Sequence, residues 1–230
     1  FNSPEIGAAA VKILEHAGFE VMVIAGTQCC GRTNFSKGLI KDAERQARHN
    51  LALLLPYVKQ GIDIVGVEPS CITSFRDEYL DLRLGEDAKL LAKHCFHFEE
   101  FLTRLVDAEP MALKFLPSNG ATTIHLHGQC YQKSTIGTEY THRMLELMPN
   151  TKVTEIPSSC CGMAGSFGYE KEHYELSMQL GEKSLFPAIR ELPADAVLAA
   201  AGTSCRSQIK QGTKRIAKHP VEILAEHLAD

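Results

Sequence analysis

The chain has 230 residues, enough for one large domain or two small ones, and is 44% hydrophobic and 23% charged, so it can bury a core. Lysine and arginine number 24 against 28 acidic residues, a net charge of −4, so no basic surplus exists to neutralise a phosphate backbone and nucleic-acid binding is not expected. No apolar run reaches the ~18–20 residues of a transmembrane helix, and no secretory signal precedes the first element. The chain starts at Phe1 without an initiator Met, which reads as a processed chain or an excised fragment.

In chain order, residues 4–17 predict a helix, with Ile6, Ala10, Ile13 and Leu14 on one face and Pro4 in the first turn. Residues 19–25 are β-branched and apolar and predict a buried strand, with Cys29-Cys30-Gly31 beyond its end. A long amphipathic helix is expected over 38–57, with Leu39, Ala43, Ala47, Leu51 and Leu54 in one stripe. A strand over 62–67 ends at Glu68-Pro69-Ser70-Cys71. Helices fill 73–106, and 107–120, with Pro110, Pro117 and Gly120, reads as a linker. The second half repeats the order: a strand over 122–127 leads to Cys130, a helix covers 136–148, and a strand over 152–156 leads to Cys160-Cys161-Gly162. A helix over 170–190, a strand over 196–201 and Thr203-Ser204-Cys205 before a last helical region complete it.

This order is an internal duplication. The Cys-Cys-Gly triplets lie 131 positions apart, and Cys71 and Cys205 lie 134 apart. The position matching Cys130 at the first offset falls just before Phe1. The expected fold is α/β: two duplicated subdomains, residues 1–110 and 111–230, with mostly parallel sheets flanked by helices. In such sheets ligands collect beyond the carboxyl ends of the strands, where all the duplicated cysteines fall. Helix starts and glycine turns there offer backbone N–H groups to an anionic ligand, and Gly162, Gly165 and Gly168 let the backbone approach something bulky.

Eight cysteines are too few for a disulfide scaffold, which runs at ~8–10% of residues, and read as ligands or redox groups. Adjacent cysteines close poorly on one zinc ion, which prefers spaced pairs. They suit a cluster of several metal atoms, where each thiolate takes a different iron or bridges two. Cys130, Cys160, Cys161 and Cys205 supply four ligands, enough for one four-iron (4Fe-4S) cluster; Cys29, Cys30 and Cys71 supply three. Zinc at the same four cysteines, and a thiol–disulfide catalyst, are the alternatives; the second lacks a C-x-x-C pair.

At these residues the chain resembles the cysteine-rich "CCG" region of iron–sulfur oxidoreductases, over essentially all of its length. That group includes the cysteine-rich subunit of heterodisulfide reductase, the iron–sulfur subunits of glycolate oxidase and anaerobic glycerol-3-phosphate dehydrogenase, and FAD-linked oxidases fused to an iron–sulfur part. The stretches carrying the resemblance are Gln28 to Arg32, Glu68 to Cys71 with Arg76 to Tyr79, His127 to Lys133, Cys160 to Tyr169 and Gly202 to Ile209. It implies an iron–sulfur electron-transfer module of a flavin-dependent dehydrogenase or oxidase acting on a 2-hydroxy acid or similar substrate. FAD then sits on an upstream domain or partner subunit, and electrons leave to a carrier such as a quinone. The location implied is cytoplasmic, with attachment at the inner face of the membrane as a variant. No side chain here is expected to act on substrate. The family's final Cys-x-x-Cys is broken, with Ser74 after Cys71 and Gln208 after Cys205. Five-cysteine ligation is therefore not available, which favours a simpler cluster over a non-cubane one and electron relay over disulfide reduction.

Among the remaining residues, Gly162, Gly165 and Arg206 are taken as contacts to the cofactor. Arg32, Lys133 and Arg206 flank cysteines and can balance thiolate charge, or are surface cations. His127, three before Cys130, reads as an ordinary hydrogen-bonded histidine, as a group beside the metal or as an alternative metal ligand. Cys95 reads as packing, Glu99-Glu100 as a solvated helix face, and His142, His173, His219 and His227 as surface or helix residues.

Overall fold

The computed structural model describes residues 3–108, 113–117 and 120–229. Two compact units emerge: Met22–Phe101, and the described residues up to Val21 together with those from Leu102 onward. Helix α1 (Pro4–His16) buries Ile6, Ala10, Ile13 and Leu14, the expected face. It packs on the last helix of the chain, Pro220–Glu226, which is why it joins the second unit and not the first half. The boundary expected between 110 and 111 lies outside the described residues, as do Pro110 and residues 118–119 of the expected linker.

Residues 19–25 form no strand. Val23 is 84% exposed, and neither sheet extends to this segment, so no strand among the described residues pairs with its backbone. The Met22–Phe101 unit continues with α2 (Arg32–Ser36), α3 (Ile40–Val58) and β1 (Ile64–Gly66). Then come α4 (Pro69–Arg76), α5 (Glu78–Asp81), α6 (Glu86–Lys93) and β2 (Cys95–His97). The stripe on α3 is buried through Ala43, Ala47, Leu51, Leu54 and Val58, whereas Leu39, just before the helix, is exposed. β1 and β2 pair in parallel, Ile64 opposite Cys95. The strand β2 was hidden within an expected helical stretch. It is three residues long and carries no alternation to announce it. Cys95 is indeed core, packed with Leu51, Leu54, Tyr79 and Leu91.

Helix α7 (Phe98–Ala108) follows. Its Glu99 and Glu100 are buried, not solvated: Glu100 is 2% exposed and forms an ion pair with Arg76. A carboxylate can be buried there because a guanidinium meets it.

The larger unit holds β3 (Thr122–Leu126), α8 (Cys130–Thr135), α9 (Glu139–Leu145) and β4 (Thr151–Glu155). After a 3-10 turn at Phe167–Tyr169 come α10 (Tyr174–Glu182), α11 (Leu185–Glu191) and β5 (Val197–Ala199). Helices α12 (Thr203–Thr213) and α13 (Pro220–Glu226) end it. The helices expected over 136–148 and 170–190 are thus each shorter or divided. The three strands lie in the order β4-β3-β5, all parallel, with Ile124 opposite both Val153 and Val197. The parallel α/β architecture is the one the alternation of strands and helices implies. Phe186 anchors the packing of α10, α11 and α12: its ring fills the space that side chains on Gly181 and Gly212 would occupy.

Phe186→Ala should therefore lower the unfolding free energy by about 3–5 kcal/mol in chemical denaturation, while exposed Ile216→Ala should change it by no more than about 0.5 kcal/mol. A second expectation concerns His97, which shares a 2.9 Å hydrogen bond with the Thr73 hydroxyl. Burial, and then the charge of Arg76, pushes its pKa down to about 3. A histidine depressed below its unfolded value of about 6.5 contributes stability above that pH and loses it as pH falls toward the folded value. Denaturant unfolding in pH steps should show a loss from this group approaching about 1.4 kcal/mol per pH unit below pH ~6, absent from the His97→Gln protein.

Candidate metal centre

Parallel pairing points β3, β4 and β5 the same way, so the loops that follow them open on one edge of the sheet. The β3 loop runs through His127 to Cys130, the first residue of α8, whose start is capped by Gln129 Oε1 accepting the Gln132 N–H at 2.7 Å. The β4 loop carries Cys160 and Cys161. The β5 loop enters α12 at Gly202, with Cys205 in the first turn. A Cβ at Gly202 would meet Gln129 Cγ at 2.9 Å and Cys205 Sγ at 3.2 Å, so the β3 and β5 loops approach over bare backbone.

The four sulfurs form one linked series, Cys130 to Cys160, Cys160 to Cys161 and Cys161 to Cys205, the last with Sγ–Sγ at 3.5 Å. Cys161 and Cys205 are buried, Cys160 half-buried and Cys130 exposed. Cys160 is the acceptor of the series. The Cys130 thiol, the neighbouring Cys161 and the backbone N–H groups of Gly162, at 3.3 Å, and Ala164 hold its pKa far below the thiol range. Cys130 is pushed up by donating to Cys160 and then by burial, although the nearby Lys133 favours its thiolate. Cys161 is pushed up by its contacts with Cys160 and Cys205 and by burial. The contacts within the series thus favour the thiolate at Cys160 and the thiol at Cys130 and Cys161. Ionising the others would crowd negative charge that only a cation can offset, and soft thiolate donors select zinc, copper(I) or iron–sulfur centres.

Gly162 has φ +95°, and a Cβ on it would overlap the carbonyl oxygen of Ser177 on α10. That backbone turn aims the Gly162 N–H at Cys160. Gly165, also at positive φ, lies in the exposed turn beyond. Arg206 donates from Nη1 to the carbonyl of Ala200 at 3.0 Å and from Nη2 to the Thr203 hydroxyl at 3.3 Å, so it ties down the loop that carries Cys205. Gln208, where the pattern would have a further cysteine, is 1% exposed. It donates to Ser177 O and Oγ, both at 3.0 Å, and so locks α12 to α10.

His127 is 0% exposed. Its Nδ1 bonds Ser158 Oγ at 2.9 Å, and its Nε2 has no hydrogen-bond partner among the described residues. Its ligating nitrogen and the sulfurs of Cys161 and Cys205 all lie within 4.8 Å of one another.

In the Met22–Phe101 unit Cys29 donates to Cys30, and Cys30 to Cys71. Cys30 is pushed up to about 12: the contact from Cys29 lowers it, and the contact with Cys71 and burial outweigh that. Cys29 rises further, through its contact with Cys30 and through burial. Arg32 pairs with Glu78 at 3.0 Å. Ser74, the other departure from the pattern, donates to the carbonyl of Ser70 at 2.9 Å. Sequence reasoning missed Asn50, buried on α3. Its amide accepts from the Gln28 N–H at 2.8 Å and donates to the carbonyls of Gln28 and Cys29 and to the Tyr79 hydroxyl, which pins the cysteine loop. A polar residue in the apolar stripe of that helix was the available signal. Of the other histidines, His142 lies beside Glu155, His173 stacks on Phe167, and His227 bonds the Ile223 carbonyl. His219 is the buried cap of α13 and not a surface residue, its Nδ1 accepting the Val221 N–H at 3.1 Å.

Comparison with known proteins bears on this arrangement. The family described as "CCG: Cysteine-rich domain" matches residues 1–76 and 124–210. The chain is 32% identical over 231 residues to a subunit of the anaerobic glycerol-3-phosphate dehydrogenase of Escherichia coli (strain K12), covering 100% of this chain and 57% of that protein. It is 28% identical to the D-2-hydroxyglutarate dehydrogenase of the same organism, covering 98% of this chain and 21% of that one. With the lactate utilization protein A of Bacillus subtilis (strain 168) it shares 23% identity over 98% of this chain and 91% of that protein. The chain thus spans little more than half of the first of these relatives.

The turn at Gly162 carries its own expectation. Gly162→Ala should lose about 1–3 kcal/mol in thermal or denaturant unfolding, because a side chain there must strain φ and displace α10. Gly7→Ala, on an exposed helix position with open space around it, should instead gain about 0.5–1 kcal/mol.

Proposed function

Since the chain belongs to the cysteine-rich CCG domain family, we propose that it is the iron–sulfur electron-transfer module of a flavin-dependent dehydrogenase acting on a 2-hydroxy acid or a similar alcohol. The observation that carries this reading is the linked series of four sulfurs, Cys130, Cys160, Cys161 and Cys205, gathered from three loops at one sheet edge. The residues suit an iron–sulfur centre: all four protein donors are sulfur, and four thiolates suffice for one four-iron cluster. When bound, such a centre supplies one-electron transfer without proton chemistry.

The chain's own residues have four tasks on this reading. The thiolates hold the metal. The Gly162 and Ala164 N–H groups offset the charge on Cys160, and Lys133 that on Cys130. Gly165 sits in the same turn, and Arg206 fixes the approach of Cys205. Burial of Cys161 and Cys205 keeps water from that side of the site. Substrate oxidation belongs to a flavin, FAD in our reading, on another domain or subunit. Electrons leave to a carrier, for which a quinone would bring the assembly to the inner face of the membrane; no helix among the described residues is long and apolar enough to cross one. Cys29, Cys30 and Cys71 are proposed as the second, three-thiolate site of the duplication.

Anaerobic purification and reconstitution, followed by iron and acid-labile sulfide determination and EPR of the reduced protein, tests the proposal. The expected result is stoichiometric iron and sulfide, with the signal lost in a Cys160→Ser/Cys161→Ser protein. Less than one iron per chain overturns it, as does iron retained by that variant. A colourless protein holding zinc through the same cysteines would favour the structural zinc reading.

A further inference from the structure

His127 stands out because it is buried, polar and half satisfied. Ser158 Oγ lies 3.2 Å from the Ile156 carbonyl, which can only accept, and 2.9 Å from His127 Nδ1. With one hydroxyl proton, both contacts are hydrogen bonds at once only in the tautomer whose Nδ1–H donates to Ser158. Neutral imidazole with its proton on Nδ1 has a bare lone pair on Nε2. That atom is buried and meets no donor among the described residues. An unmet buried acceptor is costly, so such an atom marks a missing partner.

The groups around the His127 ring point to that partner. A ring nitrogen of His127, Cys161 Sγ and Cys205 Sγ lie within 4.8 Å of one another, and the two sulfurs are 3.5 Å apart. Two thiolates on one tetrahedral ion, each at ~2.3 Å, stand about 3.8 Å apart. Thiolates that bind separate irons stand farther apart. An imidazole that donates from Nδ1 to a fixed oxygen and presents Nε2 is also the usual posture of a ligating histidine.

We propose that His127 is a metal ligand through Nε2, sharing one metal position with Cys161 and Cys205, with Ser158 as the positioning residue that sets its tautomer. This inference rests on the electron-transfer reading only for the identity of the metal as iron. Within that reading, Cys130 and Cys160 serve the remainder of the cluster. One iron then takes three protein donors, unlike a cubane, in which each iron takes one.

Two preparations of the full chain test it. In the first, protein grown with 15N-histidine is reconstituted with iron and sulfide, and the reduced sample is read by pulsed EPR beside its 14N counterpart. A directly bonded imidazole nitrogen is expected in the wild type and should vanish in His127→Ala but persist in His125→Ala. Because the wild type alone reports the bond, the test survives failure of the variant to fold. In the second, chelated apoprotein is given Co2+ alone and examined by X-ray absorption. Imidazole scattering beside sulfur is expected, and Ser158→Ala should weaken Co2+ binding about 10-fold. A full iron complement without nitrogen coupling, or Co2+ held by sulfur without imidazole, overturns the ligand assignment and leaves the electron-transfer proposal standing. No iron together with a His127-dependent Co2+ site overturns the electron-transfer proposal and keeps the ligand. Failure to bind either metal overturns both.

Discussion

Parallel pairing of β3 with both of its neighbours is the constraint on which the metal centre depends. In an antiparallel sheet, successive strand ends would alternate between edges, and no two consecutive loops could meet. Here the register that sets Ile124 opposite Val153 and Val197 brings three loops to one edge. Helices must return each chain across the sheet, so each loop ends at a helix start, where backbone N–H groups are unspent. Sulfur ligands at those places gain both convergence and a partly positive setting. The contacts that refine the site, such as Gln208 locking α12 to α10 and Arg206 tying the β5 loop, act on an arrangement that the pairing has already made possible.

Much of this was legible in the chain. The cysteines could be placed beyond strand ends because apolar runs preceded them, and the offset of 131 marked the two triplets as equivalent. What stayed hidden depended on partners distant in sequence. Residues 19–25 have every local mark of a strand, yet strand formation needs a neighbour, and none lies alongside among the described residues. Glu100 reads as solvent-facing until Arg76 is brought to it. Asn50 reads as an interruption of an apolar stripe, and only the fold shows that its amide clamps the cysteine loop. His127 could be named as a metal-side candidate from its place before Cys130, but only the fold shows its Nε2 buried without a partner among the described residues.

The two units use the duplicated pattern differently. In the larger unit the Cys-Cys-Gly turn follows β4, in the other no strand precedes it, and in both a cysteine near the start of a later helix completes the group. Cys71 lies in the first turn of α4 as Cys205 does in α12. The positions that interrupt the family pattern are both put to structural use: Ser74 bonds back to its own helix, and Gln208 bonds to a neighbouring one. Each side chain is held in place by donating to a backbone carbonyl, and neither offers the soft thiolate of the cysteine it replaces.

The gradient of exposure along the sulfur series bears on how electrons would pass. Cys205 and Cys161 are buried, Cys160 is half-buried and Cys130 reaches solvent. An electron crosses protein most readily where the intervening medium is thin, so exchange with a partner would proceed at the Cys130 end. The buried end is where a neutral nitrogen ligand matters most: a thiolate there would add charge in a region unable to solvate it, whereas imidazole adds a ligand without charge. Each extra thiolate also makes reduction harder by accumulating negative charge. On the proposed ligand set, His127 at the dry end in place of a further thiolate would ease reduction and leave the wet end, at Cys130 and Lys133, open for encounter.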